Sequence, residues 1–412
     1  MARRTCRKTR RFTRRKAGAT EILSYHRHDI IDDQTPERMN PRPESTSGGR
    51  SQYAWLGVVL LVGLAARFFF STLGHNYDFE SYRVVTGLME DGKNVYANTD
   101  RYNYGPVWFN VLHLLDVLAG RNPDVFRGLL VALLSAADAG IAWILWRKYG
   151  MQPAVLFFLN PVSIMITGYH NQFDNVAVLL GLCSVVLYGE DFAKRPGGRQ
   201  YGALGILGLS LMTKHLLFVF PLWLAVKQKG WWEKAVVLAL PIAIFLLGFA
   251  PYWAAGKQGI IDHVFRYHSL NVAYLYHLVI PEALQSAISA QVFWVAILAA
   301  FALLCRRRTG LDSILIYLAV MVAAAPATMN QYLAIPSAFT SVFVNFSTVI
   351  YTIAATFHVA TDLNGPHLLG SMPGGSTRLA IAIYCLNFAV VWTMWQGPVV
   401  KFVKQKFRKE KS

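Results

Sequence analysis

Residues 53–83 read YAWLGVVLLVGLAARFFFSTLGHNYDFESYR. The first part, Tyr53 to Leu73, is apolar and about the length that crosses ~30 Å of hydrocarbon. The second part, His75-Asn-Tyr-Asp-Phe-Glu-Ser-Tyr-Arg83, is polar and doubly acidic. Asp78 and Glu80 are therefore expected at the membrane surface, on the side opposite the N-terminus. An aromatic-rich loop follows, through Tyr96 and Arg101-Tyr-Asn-Tyr-Gly-Pro-Val-Trp108. Two readings fit: the acids solvate a loop, or a carboxylate at the bilayer edge works on a lipid-linked substrate.

Composition bounds the class. The chain has 412 residues, 54% hydrophobic and 15% charged, with a mean hydropathy of +0.34. Such a chain is not soluble and globular. Apolar runs recur from residue 53 to residue 396, which predicts an all-α polytopic membrane domain over 51–400 between tails at 1–50 and 401–412. The formal charge of +17 sits largely in those tails: residues 1–50 hold 13 Lys/Arg against 6 Asp/Glu. Basic tails can bind nucleic acid, but tails that flank membrane spans are read more economically as retained in the cytoplasm, against anionic lipid. Residues 17–51 are polar, so no signal-peptide core follows the Arg-rich start. An organelle presequence, a disordered extension and an early-called start all fit that segment. Cys6, Cys183, Cys305 and Cys385 form no close pair and no metal spacing.

Runs of apolar residues predict roughly ten to twelve membrane segments. Residues 78–91 and 106–119 are amphipathic and too short or too polar to cross, so they are placed on the surface. Val125 to Trp146 is the second span. Two pairs of short runs follow: 153–168 with 173–188, hinged at Gly168-Tyr-His-Asn-Gln-Phe-Asp-Asn175, and 202–212 with 216–226, hinged at Thr213-Lys-His215. If both hinges point outward, the Lys/Arg clusters between the runs become cytoplasmic, and the hinges share a side with Asp78. Ala235–Trp253 reads as a span, 254–284 as a long outer loop, and Thr328-Met-Asn-Gln-Tyr332 as an outer turn. The stretch 333–360 fits one long helix or two short ones, and Leu379–Trp395 is the last span.

Charges inside apolar runs cost ~2.5–3.5 kcal/mol each on insertion scales, so those retained need a reason. Lys214 either snorkels from a helix end or offers a cation to a phosphate leaving group. His170, Gln172 and Asp174 follow Asn160-Pro161; they bond between helices or contact a sugar. Asp138 reads as a structural acceptor or helix-break device. His263, Arg266 and His268 lack a metal spacing and read as solvated loop residues or a phosphate clamp. No phosphate-binding glycine loop, dinucleotide fingerprint or zinc-protease motif is present.

These motifs resemble the GT-C class of polytopic glycosyltransferases, which use polyprenyl- or dolichyl-phosphate sugars. The nearest likeness is to the glucosyltransferases that extend the lipid-linked N-glycan precursor. Asp78-Phe79-Glu80 with Arg83 matches that family's acid-aromatic-Glu motif, and Tyr104-Gly105-Pro106 stands where it has an aromatic-Pro-Pro turn. Tyr169-His170-Asn-Gln172-Phe173-Asp174 and Thr213-Lys214-His215 resemble two later elements. The run from Asp78 to Tyr102-Asn-Tyr104 is also similar to GPI-type mannosyltransferases. The likeness covers roughly 53–254; beyond it Asn330-Gln331-Tyr332 replaces a His-Glu-Lys element. The resemblance implies an inverting hexosyl transfer on the outer or luminal face of a bacterial inner membrane or endoplasmic reticulum, with a lipid-linked or other glycan as acceptor. Asp78 would be the base and Glu80 an accessory acid. Substrate contacts would come from Arg83, Tyr102, Tyr104, His170, Gln172, Asp174, Lys214, His215, Arg266, His268, Asn330 and Gln331. No cofactor is implied; a divalent metal is compatible but has no ligand spacing behind it. The alternative is a secondary transporter or lipid carrier without covalent chemistry, which also uses broken helices.

Overall fold

The computed structural model describes residues 49–409 apart from 191–194 and 268–271. All regular structure among the described residues is helical. The first apolar run is α1 (Gly49–Thr72), and the acidic segment after it is α2 (Tyr77–Glu90) rather than a loop. Asn76 caps α2: its side-chain oxygen accepts from the Asp78 N–H at 3.1 Å. The cap satisfies an orphan donor and sets Asp78 in the first turn, where a carboxylate suits the helix dipole. A single turn, α3 (Val95–Asn98), precedes α4 (Pro106–Leu118), which starts with proline at its first position. The second span is α5 (Pro123–Tyr149), capped by Asn122 and closed by Arg147 and Lys148.

The two hinged pairs are present as broken helices. α6 (Met151–Phe158) stops before Asn160-Pro161, because a proline has no N–H to continue the ladder. Asn160 then caps α7 (Pro161–Met165), which widens into a π-helical turn at Ile166–His170. Asn171, in left-handed backbone with φ 55°, ends that turn, and its amide donates to the Thr167 and Gly168 carbonyls. Gly168 is required there: a Cβ would lie 2.4 Å from the Arg67 carbonyl oxygen of α1. α8 (Asp174–Tyr188) and α9 (Gly198–Thr213) follow, then a 3-10 turn at His215–Leu217 and α10 (Phe220–Ala225).

The next segment departs from expectation. α11 (Trp231–Leu247) does not end in a long loop; the chain bends by 75° and continues as α12 (Ala250–Gly259) and a π-helical turn to Phe265. Pro251 opens α12, which is where a proline is tolerated in a helix. Two short helices, α13 (Tyr274–Val279) and α14 (Glu282–Gln285), lead to α15 (Ala290–Leu304) and α16 (Gly310–Ala323). A 3-10 turn at Asn330–Ala334 precedes α17 (Ser337–Val342) and α18 (Phe346–Thr361), so the ambiguous 333–360 stretch is two helices. The last helix is α19 (Gly375–Lys409).

Among the described residues, α1, α5 and the Gly375–Gln396 part of α19 are long and apolar enough to cross a membrane; the bent pairs α6–α7 (42°) and α11–α12 raise the number to five where each counts as one span. Five further apolar helices among the described residues have 10–17 residues, short of a full span. Only 11% of the apolar part of α1 is buried, yet it carries Val58, Leu61 and Phe69 exposed. An apolar helix with its side chains on the outside has lipid as its solvent. The protein is a multi-pass integral membrane protein.

Inside the bundle, Arg67 of α1 is fully buried and paired with Asp138 of α5 at 2.9 Å. Its remaining donors reach the Gly63 and Phe158 carbonyls and the Ser163 hydroxyl. Thr167 and Asn175 donate to Asp138 in turn, at 2.9 Å each. Asp138 is thus an acceptor that ties α1, α5, α7 and α8 together, and it breaks no helix.

A candidate active site between two broken helices

The site assembles because both hinges meet the start of α2. Asp78 is half-buried, and its Oδ2 accepts from the Asn76 amide at 3.0 Å and from the Gln172 amide at 2.5 Å. Gln172 follows the π-helical turn and is buried. Its carbonyl oxygen faces Lys214 Nζ at 3.4 Å, and Lys214 pairs with Asp174 at 2.8 Å. One glutamine therefore touches the acid of the first loop and the cation of the second hinge. The sequence shows no acid beside Lys214; the fold supplies Asp174 from 40 residues away, and both side chains are 5% exposed.

Aromatic rings wall this polar line. Lys214 Nζ lies 5.0 Å from the Tyr104 ring and 4.8 Å from the Phe173 ring, close enough for cation–π attraction. Trp108 stacks on Phe173 at 4.0 Å, and Tyr82 meets both rings edge-on. Gly105 allows the approach: a Cβ there would overlap the Met212 carbonyl of α9, 1.9 Å away. Replacing hydration with rings has an electrostatic result. Burial pushes the Asp78 carboxyl above the ordinary carboxylate range, with Asp174 adding to the rise, while Lys214, Asn76 and Gln172 oppose it. A carboxylate of raised basicity, open on one side, is suited to take a proton. Burial and the Asp78 charge likewise push the Tyr104 hydroxyl well up, so it stays protonated.

Asn76 links the acid to a second histidine-bearing face. Its oxygen is fixed by the helix cap, so its Nδ2 is the donor to His170 Nδ1 at 2.9 Å. His170 is 1% exposed, and among the described residues no hydrogen-bond partner meets its Nε2. The turn carrying His170 packs on the 330–334 turn. There Asn330 donates to Asp362 Oδ1 at 2.7 Å and accepts from His358 at 2.8 Å. Burial alone would raise the Asp362 carboxyl, but the Asn364 N–H, the Asn330 amide and the two histidines outweigh it and hold it below its usual range. Tyr332 stands in that 330–334 turn, and burial pushes its hydroxyl up, with the charges of Asp174 and Asp78 adding to the rise.

Several expected contacts lie elsewhere. Glu80 is 54% exposed and pairs with His75 at 2.5 Å, away from the Asp78 carboxylate, because it stands two residues further round the same helix. Tyr102 is fully buried and spends its hydroxyl on the backbone, donating to the Gly105 carbonyl at 2.6 Å and accepting from the Phe109 N–H. It is a brace for the loop. Arg83 carries a buried Nη1 without a partner but makes no contact with Asp78. His215 lies against the Phe245 ring, with centroids 6.5 Å apart. Arg266 is 73% exposed and faces Asp262 at 3.7 Å. Gln331 has no contact with the acid, and His268 lies outside the described residues, as does Cys6. Cys183, Cys305 and Cys385 are free thiols. Among the described residues no three His, Cys, Asp or Glu side chains gather as metal ligands would.

Asn76, Tyr82, Phe173, Tyr332 and Asp362 are the site residues that the sequence does not single out. For Asn76 a signal existed: an Asn two positions before an acid, at the start of an amphipathic run, is a helix-cap pattern.

No protein-family model matches the chain, and no curated protein does. Two solved structures resemble it, both of ArnT from Cupriavidus metallidurans, one in the apo state and one bound to undecaprenyl phosphate. Each is 14% identical, the matches cover 84% and 85% of this chain and 77% of that chain, and the TM-scores are 0.41 and 0.42.

Proposed function

We propose that the protein is a glycosyltransferase of the GT-C type that moves a hexose from a polyprenyl-phosphate carrier to a hydroxyl acceptor, with inversion at the anomeric carbon. The observation that carries this reading is the Asp78 carboxylate: partly desolvated, raised in basicity, and held by Asn76 and Gln172 where two broken membrane helices meet. In the reaction the acceptor oxygen attacks C1 as its proton passes to Asp78. The bond from C1 to the phosphate oxygen breaks, and its electron pair leaves on the phosphate. Asn76 and Gln172 orient the base without competing for the proton, since both present amide donors to Oδ2. Tyr104, protonated, and Lys214 stand nearest for the charge that develops on the leaving group.

Supporting this over loop solvation is the cost of the arrangement. A solvated acid needs neither a capping amide, a glutamine from a broken helix nor a wall of four rings. Glu80, exposed and paired with His75, is what a solvated acid in this segment looks like. The test is transfer by the purified protein in lipid nanodiscs, given radiolabelled polyprenyl-phosphate glucose or mannose and a membrane lipid extract. A labelled product with the wild type, lost in Asp78→Asn, is expected. Absence of product with every donor, from protein shown to be folded, overturns the reading.

A further inference from the structure

Beyond Asn76, on the side of His170 and the 330–334 turn, lie polar groups that the transfer reaction does not use. Two of them have unspent hydrogen-bonding capacity. The helix cap fixes the Asn76 amide, and the amide fixes the imidazole: with Nδ1 accepting, His170 carries its proton on Nε2. That N–H is buried and, among the described residues, unpartnered. A lost buried donor costs free energy, so such a group calls for an occupant. Asp362 belongs to the neighbouring turn: its partner Asn330 stands in the 330–334 turn, which packs on the turn carrying His170. Both hydrogen bonds to Asp362 fall on Oδ1, from Asn330 at 2.7 Å and from the Asn364 N–H at 2.9 Å. Among the described residues none falls on Oδ2. That oxygen borders Gly375, where the space a methyl group would fill also touches Arg378 and His358.

We propose that His170 and Asp362 form a hydroxyl-binding subsite for the sugar ring of the lipid-linked donor, with Asn330 and His358 as positioning residues behind them. This rests on the glycosyltransferase reading. The pair offers one neutral donor and one carboxylate acceptor, which is what a hydroxyl group, at once donor and acceptor, can satisfy. An anion does not fit: a phosphate here would face the Asp362 carboxylate, and the neighbouring guanidinium of Arg378 spends Nη1 and Nη2 on the Pro373 and Met372 carbonyls. The charge pattern therefore gives the donor a direction, with phosphate toward Lys214 and ring hydroxyls toward Asp362. The occupant is the ring that reacts, because His170 shares Asn76 with the base, one side chain from the carbon under attack.

The chain falls into two stretches here. Asn76 and His170 lie in the first half of the chain, in the 75–83 and 168–175 stretches, whereas Asn330, His358 and Asp362 lie beyond residue 328. The sugar would thus be selected by the late part of the chain and activated by the early part.

The experiment measures binding of two probes to full-length protein in nanodiscs: undecaprenyl phosphate alone, and undecaprenyl phosphate carrying glucose or mannose. Asp362→Asn keeps size and the Asn330 contact but turns the free acceptor into a donor. His170→Gln keeps an N–H near the Nε2 position, whereas His170→Phe removes it. A hydrogen bond to a charged group is worth more than one between neutral groups, so Asp362→Asn should weaken sugar-bearing lipid about tenfold or more, and His170→Phe a few-fold to about tenfold. Bare undecaprenyl phosphate should bind all variants as it binds wild type, and His170→Gln should recover part of the loss. Equal weakening toward both lipids, or unchanged binding of the sugar-bearing lipid, overturns the subsite while leaving the transferase reading in place. Wild-type protein that binds neither lipid overturns both.

Discussion

Burial decides how basic Asp78 is, ahead of the opposing Lys214 charge and Asn76 amide, and the last of the groups that oppose it is Gln172. Its amide hydrogen bond favours the ionised acid, so it holds down a carboxyl that burial raises. The working base must be deprotonated, so activity should fall on the acid side at a pH above the ordinary aspartate range of about 4. Gln172→Leu removes a contact that lowers the Asp78 value, so its acid limb should move to higher pH; an unmoved limb in a transfer-rate profile would separate Gln172 from the base. Asp78→Asn keeps size and the cap geometry but loses the proton acceptor, and the rate should fall by ~10²–10⁴-fold. Glu80→Gln should retain most activity because its exposed pairing with His75 leaves the site untouched. Near-normal transfer by Asp78→Asn beside an inactive Glu80→Gln would reverse the two roles. Lys214→Ala tests two effects at once, since it leaves Asp174 as an uncompensated buried charge, worth about 3–5 kcal/mol. Combining it with Asp174→Asn should restore the unfolding midpoint but not the rate, if Lys214 serves the leaving group.

Among the elements, the segments from α6 to α7 and from α9 to α10 were legible in the sequence because proline, glycine and polar residues interrupt runs too short to span. Asn160-Pro161 and Thr213-Lys214 are such marks. What the hinges bring together was legible only in part. The Lys214 and Asp174 partners stand 40 residues apart, and a pairing across that distance leaves no local pattern. Tyr102 looks the same in sequence whether its hydroxyl meets a substrate or a carbonyl, and the fold gives it the carbonyl. The bend at Gly248-Phe249 escaped because Pro251 sits only two residues into a new helix, where it perturbs no hydropathy average. Packing at Gly168 makes the hinge sensitive to a single carbon. Gly168→Ala should push the π-helical turn off α1 and displace His170 and Gln172 with it. A drop in both transfer rate and unfolding temperature is expected, whereas the same change at Gly87, which meets nothing within 4 Å, should cost little.

On the scale of the whole molecule, the charge bias assigns the faces. The start of α2 and both hinges should lie opposite Lys229 and the basic C-terminal end. Cysteine placed at Glu80 should react with an impermeant reagent added outside, and cysteine at exposed Lys229 only after the membrane is opened. The reverse pattern would invert the protein. Positions 171 and 172 cannot report this, because both are buried.

The buried Arg67–Asp138 pair also bears on how the chain is made. α1 leaves the ribosome well before α5, so Arg67 enters the bilayer ahead of the carboxylate that neutralises it, 71 residues later. On insertion scales a lone arginine costs about 2.5–3.5 kcal/mol at mid-span, which is the upper limit for Arg67 in the second half of the Tyr53–Thr72 span. The first helix should therefore partition poorly by itself and be held at the insertion machinery until α5 arrives. Truncated chains ending before Asp138 should show incomplete insertion of α1 in a glycosylation-mapping assay, and Arg67→Leu should cure that defect. In the finished protein the same substitution should do harm, since Asp138 would be left charged among apolar helices with only hydroxyl and amide donors around it. The residue that delays the beginning of assembly is the one that fastens its end.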